Sequence, residues 1–543
     1  MAGITEKDLV ATHEESASPV GRKVADVQVV TGSEDLAAAL AKEPPQPWAI
    51  NSIKLYACCF IAFLCSTMNG YDGSLMGALL VMPAYKADFD SNYVGVKAAY
   101  ISAMYQIGGV SALPFVGPAV DTWGRKMGMF IGCAIIVLGT IIQATSEINT
   151  SLPQYLAGRF FLGFGISIAA SAGPAYVVEI AHPLYRGTLT GLYNCFWFTG
   201  SILSAGVTRG SIMFPDDDSR QWMVPTVFQA FFSGVVIIFC FFLPESPRWL
   251  CVNNRDEEAR QILIKYHGHG NPDSVYVELQ MREFKEVNSD DGADKRFWDY
   301  SALFRNRASC YRIACNVTIS VFGQWAGNGV VSYFLGGLLS TAGITNAKTV
   351  LDINLGLAFV QCFFAVCGAS LVDRLGRRPL LLFTNLSLCI IWVAITVCTG
   401  VYEGDDSNIA AARASVGFIF VFGIFYSIGF TPLQALYPVE VLSFEQRAKG
   451  MAFSSLAVNA AGLLNQFAWP IALEKIKWKT YIIFIIWCFV QATVIYFFIP
   501  ETKGRTLEEL EEIFEAPNPR KASTQKKKIE VDHQGNVLHV ESA

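Results

Sequence analysis

The sequence predicts an all-α membrane protein with twelve transmembrane helices arranged as two six-helix halves. Three observations predict it. Twelve apolar runs each approach the roughly 20 residues that a helix needs to cross a bilayer. A strongly polar stretch, 244–310, divides the runs six and six. Three short motifs that follow runs of the first set recur after the corresponding runs of the second. Composition agrees: 52% of residues are hydrophobic and 16% charged, against about 25% charged in soluble domains.

The runs lie at 55–80, 97–120, 127–145, 153–174, 188–210, 222–243, 311–338, 350–372, 379–401, 412–433, 450–472 and 477–499. This divides the chain into an N-terminal tail (1–52), a first six-helix bundle (53–243), a central segment with short helices (244–310), a second bundle (311–499) and a C-terminal tail (500–543). The N-terminal tail is polar and mixed in charge, the composition of a disordered segment. It holds no apolar core, so no cleavable signal peptide is expected and the first run serves as the insertion signal. An even number of spans puts both ends on one side. The short loops alone do not orient the chain, because the run Lys475, Lys477 and Lys479 offsets the basic residues of the opposite loops. The central segment and tails carry most of the remaining Lys and Arg, which places them and both termini in the cytoplasm.

Several function classes drop out. A formal charge of −5 with no basic stripe argues against nucleic acid. The 14 cysteines are scattered, mostly in apolar runs, with no CxxC pair, and read as small buried residues. His267 and His269 lie in a polar loop without partner cysteines, so no metal or other cofactor is expected. No nucleophile–base or metal constellation suggests an enzyme.

The repeated motifs carry charge. Asp121-Thr-Trp-Gly-Arg-Lys follows span 2, and Asp373-Arg-Leu-Gly-Arg-Arg follows span 8, 252 residues later. Glu179 precedes Arg186 after span 4, and Glu440 precedes Arg447 after span 10, 261 residues later. Pro244-Glu-Ser-Pro ends span 6, and Pro500-Glu-Thr-Lys ends span 12, 256 residues later. A duplicated six-helix unit is an architecture of secondary transporters, which bind substrate between the repeats. One such basic turn would read as a topology anchor. Two copies, each in register with a downstream Glu and Arg, suggest ion pairs that form and break at the inner surface, since the Arg fork binds carboxylates bidentately. The candidates are Asp121, Arg125, Glu179, Arg186 and Glu245, and in the second half Asp373, Arg377, Glu440, Arg447 and Glu501.

These motifs, with Pro244-Glu-Ser-Pro-Arg-Trp-Leu250 and Pro500-Glu-Thr-Lys-Gly-Arg-Thr-Leu-Glu-Glu509, resemble the signatures of the sugar porter family of the major facilitator superfamily. The resemblance covers about 50–515. Within the family the chain is most similar to fungal permeases of the lactose and cellodextrin type, through Thr431-Pro-Leu-Gln-Ala-Leu-Tyr-Pro and Asn465-Gln-Phe-Ala-Trp-Pro.

Two opposite charges lie inside the spans. Asp72 sits about eight residues, roughly 12 Å, from one end of span 1, and Arg159 about six residues, roughly 9 Å, from the same membrane surface in span 4. Charges at one depth can neutralise each other, and an intramembrane ionisable residue is a functional candidate. A static structural pair is the competing reading. By resemblance, Asp72 takes up a proton and Arg159 tunes it, although some fungal facilitators also carry Asp here.

Sugar recognition needs amides for hydroxyls and aromatic faces for the apolar side of the ring. Gln324, Trp325 and Asn328 fall mid-span in Gly-Gln-Trp-Ala-Gly-Asn-Gly. By resemblance, Gln324 matches the second glutamine of the family's sugar-binding pair. Gly323 stands where the first would be, which implies an enlarged site. The resemblance also marks Asn194, Tyr333, Gln361, Gln434 and Asn459 as ligand positions, and Phe430 replaces a tryptophan. Helix–helix hydrogen bonding is the alternative role for each.

Gly158, Gly163 and Gly165 fit close helix packing rather than a nucleotide loop. Asn149-Thr-Ser is a glycosylation sequon between spans 3 and 4. Thr506-Leu-Glu-Glu509 reads as a capping box, and Lys526-Lys-Lys528 as a solvated stretch of tail. The resemblance implies a monomeric sugar/proton symporter of the plasma membrane working by alternating access, with sugar, proton and bilayer as its partners. The alternatives are a facilitator without proton coupling, an exporter of another small molecule such as a secondary metabolite, and a non-transporting sugar sensor.

Overall fold

The computed structural model describes residues 46–90, 95–291, 301–405, 408–442, 447–503, 507–524, 527–531 and 537–542. Twelve helical segments correspond one to one to the twelve apolar runs. In the first half they are α1 (Ile50–Leu79), α2 (Val96–Gly117), α3 (Arg125–Ala144), α4 (Leu152–Ile180), α5 (Arg186–Ser211) and α6 (Arg220–Cys240). In the second they are α7 (beginning Arg307–Trp325), α8 (Ala347–Leu375), α9 (Arg377–Gly404), α10 (Ile409–Val441), α11 (Arg447–Ile476) and α12 (Thr480–Phe498). Among the described residues, eight stretches are long and apolar enough to span a membrane by length and composition alone, one of which runs through both α11 and α12. The helices that fall short, α2, α5 and α7, dilute their apolar residues with Gly, Ser, Thr, Asn and Gln.

The two halves repeat the same packing. In the first, α3 packs on α4, α1 on α5, α2 on α4 and α3 on α6; in the second, α9 packs on α10, α7 on α11, α8 on α10 and α9 on α12. The halves meet along α2–α11 and α5–α8. Close approach depends on small residues. Gly163 of α4 lies directly against the Tyr105 carbonyl of α2, and a Cβ at Gly165 would sit 2.6 Å from the Gly132 carbonyl of α3. The central segment forms three short helices, Pro247–Val252, Asp256–Tyr266 and Val275–Asp291, at the end of the bundle where α1 begins. The His267 ring ties them to α4 by a 3.0 Å hydrogen bond to the Ile180 carbonyl. The helix Leu507–Glu515 packs beside the start of α7, with Arg312 over the Phe514 ring. The start of α1, the central helices and the helix Leu507–Glu515 thus share one end of the bundle, the tail end below.

Two elements differ from the sequence expectation. The C-terminal tail holds an antiparallel hairpin, Lys527–Val531 with Val537–Ser542. Span 7 is not one helix: it breaks after Trp325 and resumes as Asn328–Tyr333 and Leu335–Ser340. The break falls at Gly327, whose φ of +104° is a conformation that glycine adopts freely.

Candidate functional site

A helix that stops inside a membrane leaves carbonyls that lipid cannot satisfy. Around the break in α7, side chains from four other helices take them up. Gln491 donates to the Phe322 carbonyl (3.1 Å), Tyr426 to Gly323 (2.9 Å), Asn465 to Gln324 (2.8 Å) and the Trp392 indole to Ala326 (3.1 Å). The Trp469 indole in turn donates to Asn465 Oδ1 (2.8 Å). Sequence reasoning missed these four positioning donors. Their signal was available: polar or indole groups spaced through otherwise apolar runs.

Of the residues expected to meet a ligand, Trp325, Asn328 and Gln434 lie at or beside this break. Asn328 accepts from Ser332 (3.0 Å), and the Trp325 indole donates to the Ala461 carbonyl (3.1 Å) while its ring packs on Trp487. Gln434 of α10 donates to the Ser320 carbonyl (3.4 Å) and lies across Gly323. A Cβ at 323 would stand 2.6 Å from the Gln434 amide carbon. The missing glutamine therefore leaves no enlarged site, because the α10 amide already fills that space. Gln361 is buried against Gly423, and Asn194 is half-buried on α5. Asn459 bonds within α11 and faces Gly109 of α2 across the junction of the halves. Phe430 is fully buried in a ring stack with Tyr426 (5.6 Å).

In the first half, Asp72 and Arg159 are 1% and 2% exposed. They do not form a hydrogen-bonded pair. Both Asp72 carboxyl oxygens, and Nε and Nη1 of Arg159, lack a hydrogen-bond partner. Arg159 lies 5.2 Å from the centre of the Tyr105 ring, within electrostatic reach of Asp72 and of Tyr333 on the far side of the break. The Tyr333 hydroxyl lies 4.0 Å from the Cβ position of Gly73, and Gly77 meets the Ser332 and Tyr333 carbonyls. The broken part of α7 thus rests on α1 beside Asp72. The described hydrogen bonds between the halves also lie away from the tail end: Gly95 N–H to the Pro470 carbonyl (3.1 Å), and Arg209 to Asp352.

At the tail end the motif charges form two matching networks. Arg125 pairs with Glu179 (2.9 Å) and Asp121 (3.2 Å); Arg377 pairs with Glu440 (2.6 Å). Glu245 accepts from the Lys126 and Ser246 amides, and Glu501 from those of Arg377, Arg378, Thr502 and Lys503. The hydroxyls of Ser246 and Thr502 then reach the same Glu179 and Glu440 (2.5 and 2.6 Å). Gly124 and Gly376 open α3 and α9 at φ of +98°, and a Cβ on either would collide with the Glu245 or Glu501 carboxylate. Burial pushes the Asp121 and Glu245 carboxyls above their ordinary range, despite Arg125 beside both. All these pairs lie within one half. The side chains of Arg186, Asp373, Arg447 and the sequon residue Asn149 lie outside the described residues, as does the N-terminal tail to residue 45.

Glu440→Gln leaves Arg377 and Thr502 with a neutral acceptor. A hydrogen bond to a charged group contributes about 1.5–3 kcal/mol, so the melting temperature of the purified protein should fall by several degrees. An unchanged value would mean that the pair contributes nothing to the fold.

Residues 58–514 match the family model described as sugar (and other) transporter. The chain belongs to that family. Among similar proteins, the high-affinity glucose transporter of Kluyveromyces lactis is 27% identical over 481 residues, 85% of each chain. The quinate permease of Neurospora terricola is 25% identical, covering 88% of this chain and 92% of its own. Among solved structures, the proton:xylose symporter XylE bound to 6-bromo-6-deoxy-D-glucose superposes with a TM-score of 0.70 at 20% identity, over 86% of this chain and all of the other. A partially occluded inward-open form of XylE from E. coli gives 0.68 at 18% identity, over 83% and 99%. These likenesses show the fold: the major facilitator architecture with its two repeated halves.

Proposed function

We propose that this transporter moves a sugar together with a proton by alternating access, with both termini cytoplasmic in the plasma membrane. The observation that carries the reading is Asp72: a carboxyl buried with no donor on either oxygen, beside an equally buried Arg159 that it does not touch. An ionised carboxylate left so is costly. The cost disappears if the acid is protonated or if the Arg159 fork swings onto it, and those are the two states a proton carrier alternates between. Sugar binding at the α7 break acts on the same region, because Tyr333 lies over α1 one residue from Asp72. Glucose and quinate, named for two relatives, both present ring hydroxyls of the kind that Gln324, Asn328, Gln361 and Gln434 can bind.

In this reading the observed arrangement is closed on the outside, where α7 rests on α1. The two tail-end networks brace their own halves now and latch the inner ends together in the opposite arrangement. Glu440→Gln or Arg125→Ala then increases cysteine labelling from the cytoplasmic side, and unchanged labelling in both overturns the latch.

The test of function is uptake of a panel of labelled mono- and disaccharides, with external pH recorded, in cells lacking their own permeases. Saturable uptake of at least one sugar with external alkalinisation is expected. Single alanine variants at Gln324, Asn328 and Gln361 should raise KM about two- to tenfold at normal surface expression, the effect of losing one neutral hydrogen bond of about 0.5–1.5 kcal/mol. If KM stays unchanged in all three, the ligand site lies elsewhere.

A further inference from the structure

The duplicated halves differ at a place where the fold does not require it. After the first Gly-Arg turn comes Lys126, whose ammonium is satisfied by the Phe241 and Leu243 carbonyls at the end of α6 (3.3 and 3.2 Å). After the second comes Arg378. It donates to the Tyr496 carbonyl (2.8 Å), and its guanidinium lies over the Tyr496 ring at 5.4 Å. A second guanidinium, Arg520 from the helix Pro519–Thr524, lies over the same ring at 5.0 Å. Counting back from Pro244 and Pro500, the first half has Cys240 in place of Tyr496. It therefore carries one cation there, already partnered, where the second half carries two around an added ring.

Among the described residues neither guanidinium forms an ion pair, and the carboxylate within electrostatic reach of Arg378 is that of Glu501. The Nε of each arginine is buried without a hydrogen-bond partner. The Glu501 carboxylate beside Arg378 is occupied by four backbone amides. Stacking on a ring face is a modest attraction, and the two guanidiniums repel each other within electrostatic reach. Lys503 and Lys521, both exposed, extend the positive surface. The position matters as much as the charge. Tyr496, Phe497 and Phe498 are 48–58% exposed on the last turns of α12, just before Pro500. An exposed Tyr at a helix end marks the headgroup level of a bilayer.

We propose that Arg378, Arg520 and Tyr496 form a site for the phosphate of an anionic phospholipid in the leaflet at the tail end. The Arg forks suit phosphate oxygens, and the exposed Phe497 and Phe498 rings would lie along the acyl chains. Because the Glu501 N–H donates to Ser523 Oγ (3.0 Å), a lipid held there also fixes the Pro519–Thr524 helix against the end of α12.

The test uses the full chain purified in mixed micelles with phosphatidylcholine alone or with added phosphatidylserine. Phosphatidylserine should raise the melting temperature, and Arg520→Gln should remove most of that increment and weaken apparent lipid affinity about fivefold, the effect of one interfacial charge. Arg520→Lys, which keeps the charge but not the fork, should recover part. Inorganic phosphate should do nothing. The same increment in wild type and Arg520→Gln overturns the site, and an increment from inorganic phosphate alone overturns the lipid as its ligand. Intact-protein mass spectrometry of the wild type needs no variant: anionic lipid no more abundant on the protein than in the bulk micelle also overturns it.

Discussion

Asp72→Asn should abolish accumulation of sugar against a gradient. For one proton per sugar, each pH unit across the membrane supplies about 1.4 kcal/mol, or tenfold accumulation. A membrane potential of about 100 mV supplies a further 2.3 kcal/mol. Asparagine has the shape of the protonated acid and cannot titrate, so all of this driving force is uncoupled at once. Exchange of internal for external sugar should survive in part, because neither the α7 break nor its amides are altered. Uptake should also lose its dependence on external pH. The decisive measurement compares wild type and Asp72→Asn with and without a protonophore. Wild-type uptake insensitive to both protonophore and pH would replace symport with facilitated diffusion. Asp72→Asn accumulating sugar normally would place the proton carrier elsewhere.

The second large effect is structural. Gly327→Ala should deplete folded transporter at the cell surface. The φ of +104° is unfavourable for any residue with a side chain, and the new methyl would overlap the Trp392 ring. Such strained backbone costs about 1–3 kcal/mol, and overpacking adds a similar amount. Shrinking the ring offers no rescue, because Trp392 also donates to the Ala326 carbonyl. Trp392→Phe separates the two roles: it keeps most of the ring and loses the donor, so it should destabilise by about 1–3 kcal/mol, the cost of leaving a buried carbonyl unsatisfied. Melting of purified variants reads both. A Gly327→Ala protein as stable as wild type would mean that the break does not need this backbone conformation.

The spans were legible because bilayer thickness fixes helix length, and the two halves because duplicated motifs survive as short strings. Asp72 and Arg159 could be placed at one depth by counting along spans 1 and 4. Whether they touch could not, since contact depends on helix rotation and rotamer, and the structure holds Arg159 on Tyr105 instead. The break in α7 was hidden inside Ala326-Gly-Asn-Gly329, a string whose polarity drew attention to ligand chemistry before backbone geometry. The role of Gln434 was invisible for a different reason. Gly323 looked like a vacancy from its own position, and only packing reveals an amide entering from another helix. The Ser246 and Thr502 hydroxyls were nearer to hand: each follows the glutamate of a repeated motif, and each reaches the equivalent glutamate of its own half, Glu179 or Glu440.

Each tail-end network closes entirely within the half that contains it, and the helices of the central segment lean on the first half through His267 and Ile180. No ion pair described at that end needs the chain to be continuous from one bundle to the other. A gene cut between the codons for Asp291 and Ser301 would therefore encode two pieces that each retain their own bracing. Expressed together, they should find one another along α2–α11 and α5–α8 and rebuild a working carrier. The covalent link, in that view, is a tether that sets stoichiometry and keeps the partners close, while the machine is a heterodimer of two related subunits that happen to share one polypeptide.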